Sequence, residues 1–197
     1  MKHAANVLTL ARIALTAVLV FLMLFNPFSD ETTARILCAV VFLVAALTDL
    51  FDGKIARRTG SVSDFGKFLD PVADKCLITS AFIAFAVTPY LDESLRVFCA
   101  IAAIVILLRD LCVTSLRLVA ATQGRVLAAI KSGKFKTFWQ CVTILWIFLE
   151  GVFLPRESEL YRTHLLSYCA LGVCLVLVVY SAISIAYHDR KQKTAGQ

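Results

Sequence analysis

Long apolar segments alternate with short polar stretches along most of the chain. A membrane-spanning helix needs roughly 20 mostly apolar residues. Six segments satisfy this requirement, at residues 8–26, 34–51, 70–90, 95–118, 135–154 and 164–187. Long alternating patterns typical of strands are absent, and backbone groups in lipid must be hydrogen-bonded within the protein. The pattern therefore predicts an all-α polytopic membrane protein, a six-transmembrane-helix bundle.

The two chain ends fit this bundle. The segment at 8–26 exceeds the roughly 7–15 apolar residues of a secretory signal peptide, and no small-residue cleavage site follows it. We therefore expect a retained first helix. Residues 188–197 are mostly polar and predict a flexible tail. Because no repeat or long linker divides the rest, we expect a single membrane domain over residues 1–197.

The composition supports membrane insertion. Of the 197 residues, 59% are hydrophobic and 17% are charged, whereas soluble domains carry about 25% charged residues. The net charge of +6 does not indicate a nucleic-acid partner, because with six spans 16 of the 20 Lys and Arg residues fall on one side. The positive-inside rule then places both termini in the cytoplasm. We expect a location in the cell (inner) membrane.

The seven cysteines lie in or beside apolar segments, and no CxxC pair occurs. An odd number of cysteines in such positions favours small buried apolar side chains over a disulfide framework or a zinc site. We expect the cysteines to serve packing alone.

Charged residues are concentrated in one stretch, residues 49–74, between the second and third apolar segments. Two pairs of carboxylates lie there at helical spacing, three residues apart in the first pair and four in the second. Each pair therefore shares one face of its helix. The carboxylates belong to Asp49, Asp52, Asp70 and Asp74. Small residues between them leave that face open to a bulky ligand.

Four carboxylates that face one another repel, unless some are protonated or cations neutralise them. Oxygen ligands at a membrane boundary suit Mg²⁺ or Mn²⁺, and a two-metal site is typical of displacement at phosphorus. Helix caps or interfacial charges are the alternative explanation for any one of these residues, but ionisable residues at membrane depth are usually functional. Pro71 is either the first-turn proline of a helix capped by Asp70 or a kink within a longer helix.

Eight fixed positions in this stretch form the pattern D-x2-D-G-x2-A-R-x8-G-x3-D-x3-D. They are filled by Asp49, Asp52, Gly53, Ala56, Arg57, Gly66, Asp70 and Asp74. The stretch resembles the signature of the CDP-alcohol phosphatidyltransferase family. The resemblance implies six transmembrane helices, a homodimer, and a site at the cytoplasmic face that binds CDP-diacylglycerol and two Mg²⁺ or Mn²⁺ ions.

The resemblance also implies a role for each signature residue. Asp49, Asp52 and Asp70 correspond to metal ligands, and Asp74 corresponds to a metal ligand that is also the catalytic general base. The residues expected to bind the CDP moiety are Gly53, Ala56, Arg57, Ser63 and Gly66.

A second group of basic residues lies near the predicted cytoplasmic ends of the fourth and fifth apolar segments, in "RDLCVTSLR" and "KSGKFKT". Arg109 and Arg117 are eight residues apart on one face of the fourth segment. Together with Lys134 and Lys136 they suit the phosphate of a small acceptor, since basic side chains from two helices converge at membrane depth. Anchoring at the cytoplasmic interface is the alternative role for basic residues in these loops.

These segments and the N-terminal "NVLTLARI" resemble the phosphatidylglycerophosphate synthase branch of the family, whose acceptor is glycerol 3-phosphate. The resemblance implies transfer of the phosphatidyl group from CDP-diacylglycerol to glycerol 3-phosphate, with release of CMP. Ala5 and Asp110 depart from the branch pattern, which often has Pro and Glu at these positions. Inositol phosphate, serine and a second phosphatidylglycerol therefore stay open as acceptors.

A cation transporter is the alternative from another functional class. It predicts charges near the bilayer midplane, and often broken helices or inverted repeats. The carboxylates of this chain cluster at one interface, and its sequence shows no inverted repeat. The pattern favours an enzyme that acts at the membrane surface.

Overall fold

The computed structural model describes the backbone of residues 4–28, 30–59, 64–89, 91–123, 131–155 and 158–195. It describes the side chains of residues 9–28, 30–48, 73, 75–89, 91–123, 133–155 and 158–191. Within the described backbone every regular element is a helix. The helices are α1 (Ala4–Phe25), α2 (Glu31–Thr59), α3 (Asp64–Val87), α4 (Glu93–Thr122), α5 (Lys131–Phe153), α6 (Glu159–Arg162) and α7 (Leu165–Ala195).

The predicted all-α fold is confirmed for the described part of the chain, since its six long helices overlap the six apolar segments one by one. Among the described residues, three stretches are long and apolar enough to cross a membrane, namely Glu31–Thr48, Glu93–Thr122 and Leu165–Lys191. Thr9–Phe25 and Lys75–Val87 are shorter apolar stretches. These helices indicate a membrane protein. The number of six spans and the orientation of the termini stay predictions.

Polar residues determine several helix ends. Asp30 precedes α2, and its carboxylate accepts a hydrogen bond from the backbone N–H of Thr33 at 2.9 Å. The hydroxyl of Ser158 accepts from the N–H of Tyr161 at 3.2 Å and caps α6. Such side chains satisfy N–H groups that have no partner inside the helix. α1 ends before Asn26, whose left-handed backbone (φ 34°) is more accessible to Asn than to most residues.

The six long helices pack as a ring in the order α1, α2, α5, α7, α4 and α3, and α3 also contacts α5 across the centre. Phe42, Phe82, Phe85 and Phe148 are completely buried in this core. The rings of Phe85 and Phe148 lie 4.6 Å apart, between α3 and α5. Each long helix also exposes large apolar side chains on the outside of the ring. An apolar exterior of this extent is suited to contact with lipid.

None of the seven cysteines forms a disulfide. The expectation of buried packing residues is confirmed for Cys38, Cys99 and Cys174. It is wrong for Cys76, Cys112 and Cys169, which are exposed. The apolar pattern did not separate core-facing from outward-facing positions, because both are apolar on helices of this kind.

The two ends of the bundle differ in character. α2 ends and α3 begins at one end, where α4 also ends and α5 begins, and we call it the motif end. At the opposite end, Glu150 of α5 is completely buried. Its carboxylate accepts from the hydroxyl of Ser167 at 2.8 Å and lies 2.7 Å from Nδ1 of His164. These contacts fix the start of α7 against the end of α5.

Candidate active site

The four signature carboxylates belong to the two helices that meet at the motif end. α2 continues to Thr59, so Asp49 and Asp52 both lie within it. α3 begins at Asp64, so Asp70 and Asp74 both lie within it as well. The helical backbone required by the predicted three- and four-residue spacings is therefore present on both helices.

The signature residues lie outside the part of the chain whose side chains are described. This holds for Asp49, Asp52, Gly53, Ala56, Arg57, Gly66, Asp70 and Asp74, and Ser63 lies outside the described backbone as well. Among the described side chains, no group of three or more His, Cys, Asp or Glu residues could hold a metal ion. The predicted ligands are not in that set, so the two-metal site and the CDP contacts stay predictions.

Pro71 occupies the eighth position of α3 and therefore lies in the helix interior. The alternative in which Asp70 caps the helix and Pro71 lies in its first turn is wrong. A proline in a helix interior has no N–H for the carbonyl four residues earlier. One hydrogen bond of the α3 backbone is therefore missing between the helix start and Asp74.

Arg109 and Lys136 meet at a largely buried carboxylate. Oδ1 of Asp110 accepts from Nη1 of Arg109 at 2.8 Å and from Nζ of Lys136 at 2.7 Å. Nη2 of Arg109 also donates to the hydroxyl of Ser181, a completely buried residue of α7. We call Arg109, Asp110, Lys136 and Ser181 the polar cluster, because they join α4, α5 and α7.

The polar cluster lies in the protein interior. The side chains of Arg109, Asp110 and Lys136 are 11%, 13% and 5% exposed. Burial of a charge is costly unless hydrogen-bonded partners replace its water, and charge-assisted hydrogen bonds are the strongest replacements. Within the polar cluster two cations share one carboxylate, so these side chains by themselves carry one more positive than negative charge. An excess positive charge at this depth favours an anionic ligand.

A second set of contacts ties the polar cluster to the signature helix. Nζ of Lys75, the residue after Asp74, donates to Oγ1 of Thr114 at 2.6 Å. The same hydroxyl donates to the backbone carbonyl of Asp110 at 2.7 Å. Two consecutive hydrogen bonds therefore connect α3 beside the predicted base to α4 beside the predicted phosphate-binding residues.

The other two basic residues of the predicted acceptor group are placed differently. Arg117 lies eight residues beyond Arg109 on α4, about 12 Å along the helix axis, and it is exposed. Lys134, near the start of α5, is exposed as well. The structure thus brings Arg109 and Lys136 together and leaves Arg117 and Lys134 at the surface. The phosphate-binding role of all four stays a prediction.

Sequence reasoning missed a buried polar face on α1. Thr9, Arg12 and Thr16 are buried, and Arg12 is completely so. Their spacing places them on one side of α1, the helix that packs against α2 and α3. An arginine inside an apolar segment was the feature of the sequence that pointed to this face.

The register of α1 against α3 places Arg12 at a depth in the bundle about one helical turn from that of Asp74. The hydroxyl of Thr88 donates to the carbonyl of Met23 at 3.3 Å. Arg12 lies eleven residues before Met23, and Leu77 lies eleven residues before Thr88, so these two residues lie at a similar depth. Asp74 is about one helical turn closer to the motif end, which is the direction in which side chains of α1 tilt.

The family follows from comparison with known proteins. The family model described as CDP-alcohol phosphatidyltransferase matches residues 2–186. The chain belongs to this family. The Bacillus subtilis (strain 168) protein named CDP-diacylglycerol–glycerol-3-phosphate 3-phosphatidyltransferase is 39% identical over 169 residues, which cover 80% of this chain and 81% of that protein.

Two further relatives cover most of this CDP-alcohol phosphatidyltransferase. A Rickettsia bellii (strain RML369-C) protein with the same name as the Bacillus relative is 37% identical, over 93% of each chain. The Mycobacterium tuberculosis (strain ATCC 25618 / H37Rv) protein named "Probable phosphatidylglycerophosphate synthase" is 36% identical, over 92% of this chain and 78% of its own. The resemblance drawn from the signature is confirmed.

The candidate site of this CDP-alcohol phosphatidyltransferase also contains residues that the motif did not predict. In the sequence Asp110 stands out only as a departure from the branch pattern, and no motif includes Thr114 or Lys75. Ser181 is 72 residues from Arg109, and no spacing in the sequence relates them. Only the packing of α7 against α4 brings these two side chains together.

Proposed function

We propose that this CDP-alcohol phosphatidyltransferase transfers the phosphatidyl group of CDP-diacylglycerol to glycerol 3-phosphate and produces phosphatidylglycerophosphate and CMP. The observation that carries the proposal is the similarity to relatives named for this reaction, which extends over 80% of this chain for the Bacillus subtilis protein. The complete signature between Asp49 and Asp74 supports the same type of reaction. The product belongs to anionic phospholipid biosynthesis.

The reaction requires a base for the acceptor hydroxyl and stabilisation of the leaving group. Asp74 accepts the proton of the C1 hydroxyl of glycerol 3-phosphate. The acceptor oxygen then bonds to the phosphatidyl phosphorus, and the bond from this phosphorus to the bridging oxygen of CMP breaks. Arg57 stabilises the negative charge that develops on CMP. The other residues that would contact the CDP moiety are Gly53, Ala56, Ser63 and Gly66.

Metal ions are part of the proposal. Asp49, Asp52, Asp70 and Asp74 would hold two Mg²⁺ or Mn²⁺ ions, since hard carboxylate oxygens suit both metals. The helical backbone fits such a group, because two Asp positions about one turn apart lie on each of two helices that meet at the motif end. When bound, the ions neutralise negative charge on the pyrophosphate.

The polar cluster supports an acceptor that carries a phosphate. Its described charged side chains are two cations and one carboxylate, and two buried N–H donors, Nε of Arg109 and Nε2 of Gln140, have no hydrogen-bond partner among the described residues. Gln140 is buried and lies one helical turn after Lys136 on α5. Buried donors of this kind favour a ligand with oxygen acceptors. Arg117 and Lys134 would extend the site towards the motif end.

Other acceptors have less support. Serine carries no phosphate for the polar cluster. Inositol phosphate does carry one, so the cluster alone does not separate it from glycerol 3-phosphate, whereas the names of the relatives favour glycerol 3-phosphate. The cation-transporter alternative has no support among these relatives, since the names that they carry are those of transferases and synthases.

We further propose that all six long helices cross the cell (inner) membrane, with both termini and the motif end in the cytoplasm. The support is the positive-inside rule, since 16 of the 20 Lys and Arg residues lie on that side of the predicted topology. The resemblance to the family supports a homodimer. Glycerol 3-phosphate from the cytosol would then reach the polar cluster from the motif end.

An acceptor panel tests the proposal. Purified protein is incubated with CDP-diacylglycerol and either glycerol 3-phosphate, inositol phosphate, serine or phosphatidylglycerol, and the lipid products are identified by mass. Glycerol 3-phosphate should give phosphatidylglycerophosphate as the main product, whereas a main product from another acceptor would overturn the assignment.

Excess EDTA should abolish the activity, and Mg²⁺ or Mn²⁺ should restore it. Full activity in EDTA would contradict the metal assignment.

A further inference from the structure

The polar cluster places an acidic residue within a site proposed to bind an anion. A carboxylate near a phosphate weakens phosphate binding through Coulomb repulsion, so the presence of Asp110 needs a reason. The distances provide one. Both Nη1 of Arg109 and Nζ of Lys136 lie within 2.8 Å of the same oxygen, Oδ1 of Asp110.

Asp110 offsets the repulsion between the two cations. Arg109 belongs to α4 and Lys136 belongs to α5, so nothing in the covalent chain holds their side chains together. In a protein interior like charges repel more strongly than in water. A carboxylate that accepts from both cations keeps them close and gives them a common anchoring point.

Ser181 removes the remaining freedom of Arg109. The hydroxyl of Ser181, on α7, accepts a hydrogen bond from Nη2 of Arg109, while Oδ1 of Asp110 accepts one from Nη1. A guanidinium is planar, so two partners on different nitrogens fix its plane. An arginine held in this way loses less rotamer entropy when it binds a ligand.

We propose that Asp110 and Ser181 are positioning residues of the acceptor site, which preorganise Arg109 and Lys136 to bind the phosphate of glycerol 3-phosphate. The inference rests on the proposed function and deepens it. Asp110 and Ser181 act through the two cations and do not bind the donor. Substitution of either residue therefore changes the KM for glycerol 3-phosphate and leaves the KM for CDP-diacylglycerol unchanged.

Steady-state rates measured against each substrate in turn test the inference. Asp110→Asn keeps the size of the side chain and one oxygen acceptor but removes the charge. We expect it to raise the KM for glycerol 3-phosphate by at least about tenfold, the effect of one lost charge-assisted hydrogen bond. Ser181→Ala should give a smaller rise in the same KM. The KM for CDP-diacylglycerol should not change in either variant.

Two further variants separate positioning from a general loss of structure. Asp110→Glu restores the carboxylate and should recover most of the affinity for glycerol 3-phosphate. Ser167→Ala also removes a buried hydroxyl from α7, but at the opposite end, where Ser167 donates to Glu150. Ser167→Ala should keep the wild-type KM for glycerol 3-phosphate.

The inference is overturned if Asp110→Asn and Ser181→Ala change both KM values equally or change kcat alone. A lower KM for glycerol 3-phosphate in Asp110→Asn would also overturn it, since Asp110 would then only repel the acceptor.

Inorganic phosphate offers a test without turnover. It should raise the melting temperature of the wild type more than that of either variant, and equal shifts would contradict the inference. Failure of the proposed function appears separately, as wild-type protein that makes no phosphatidylglycerophosphate.

Discussion

Asp74 is the residue on which the proposed proton transfer depends. Asp74→Asn keeps the size of the side chain and one oxygen but removes the basic carboxylate. We expect turnover to fall by about 10²–10⁴-fold, the usual contribution of general acid–base catalysis, while CDP-diacylglycerol still binds. Rates and donor binding of the purified variant check this. Asp64→Asn, at the start of the same helix but not at one of the eight fixed signature positions, is the matched control and should stay active. Normal turnover by Asp74→Asn would mean that another group is the base.

The comparison of Arg109 with Arg117 tests where the acceptor phosphate binds. Arg109→Ala removes a buried cation of the polar cluster. It should lower kcat/KM for glycerol 3-phosphate by a factor that corresponds to ~1.5–3 kcal/mol. Arg117→Ala should act in the same direction but less strongly, because charges at the surface are screened by solvent. Rates measured against glycerol 3-phosphate give both values. A larger effect of Arg117→Ala, or a change in the donor KM alone, would place the acceptor site elsewhere.

At the scale of single residues, the sequence predicted spacings within one helix and missed contacts between distant segments. Asp49 and Asp52 could be placed on one face because helical geometry relates residues three apart. The contact of Arg109 with Ser181 could not be predicted, since it depends on how α4 packs against α7. The pairing of Asp110 with two cations could not be predicted for the same reason, because Lys136, which donates to it, belongs to another helix.

At the scale of helices, hydropathy predicted the apolar centres well and the polar ends poorly. The second apolar segment ends at residue 51 and the third begins at residue 70, whereas α2 continues to Thr59 and α3 begins at Asp64. Hydropathy detects what favours lipid, but a helix extends through polar residues as long as its backbone hydrogen bonds form. The eight fixed signature positions therefore lie on two long helices.

Gly151 tests the packing of α5 against α2. A Cβ at this position would lie 3.0 Å from Cζ and Nη1 of Arg35, a side chain that is buried and paired with Glu31 at 2.8 Å. Gly151→Ala must displace this guanidinium, so we expect the free energy of unfolding to fall by ~1–3 kcal/mol. A lower melting temperature in detergent would show it.

Gly172→Ala is the control for the Gly151 variant. No atom outside its own helix backbone and chain neighbours lies within 4 Å of a Cβ built at Gly172. Alanine also favours a helix interior over glycine. The melting temperature of Gly172→Ala should therefore stay unchanged or rise. Equal melting temperatures for Gly151→Ala and the wild type would show that Arg35 moves away without cost.

At the scale of the whole molecule, the ring of helices brings the predicted donor and acceptor sides together. α3 carries Asp74 and neighbours α4, which carries Arg109, and the hydrogen bond from Lys75 to Thr114 joins them. The sequence predicted the helices but not their order in the ring. Six segments of similar apolar character offer no pattern that selects neighbours, and α5 packs against α2 although two helices separate them along the chain.

The topology of the whole molecule can be tested by labelling. Single cysteines are introduced into a variant in which the seven native cysteines are replaced, and intact cells are treated with a membrane-impermeant thiol reagent. Cysteines at positions 92 and 157 should be labelled from outside, and those at positions 60 and 193 should not. The reverse pattern would place the motif end on the outer face, away from cytosolic glycerol 3-phosphate.

The most direct test of the proposed reaction is its stoichiometry. Purified protein with Mg²⁺ and CDP-diacylglycerol is given increasing amounts of glycerol 3-phosphate, and CMP and phosphatidylglycerophosphate are quantified over the same initial period. Direct phosphatidyl transfer predicts one phosphatidylglycerophosphate for each CMP and no CMP release in the absence of glycerol 3-phosphate. CMP release that does not depend on glycerol 3-phosphate, or that exceeds lipid product, would contradict the account.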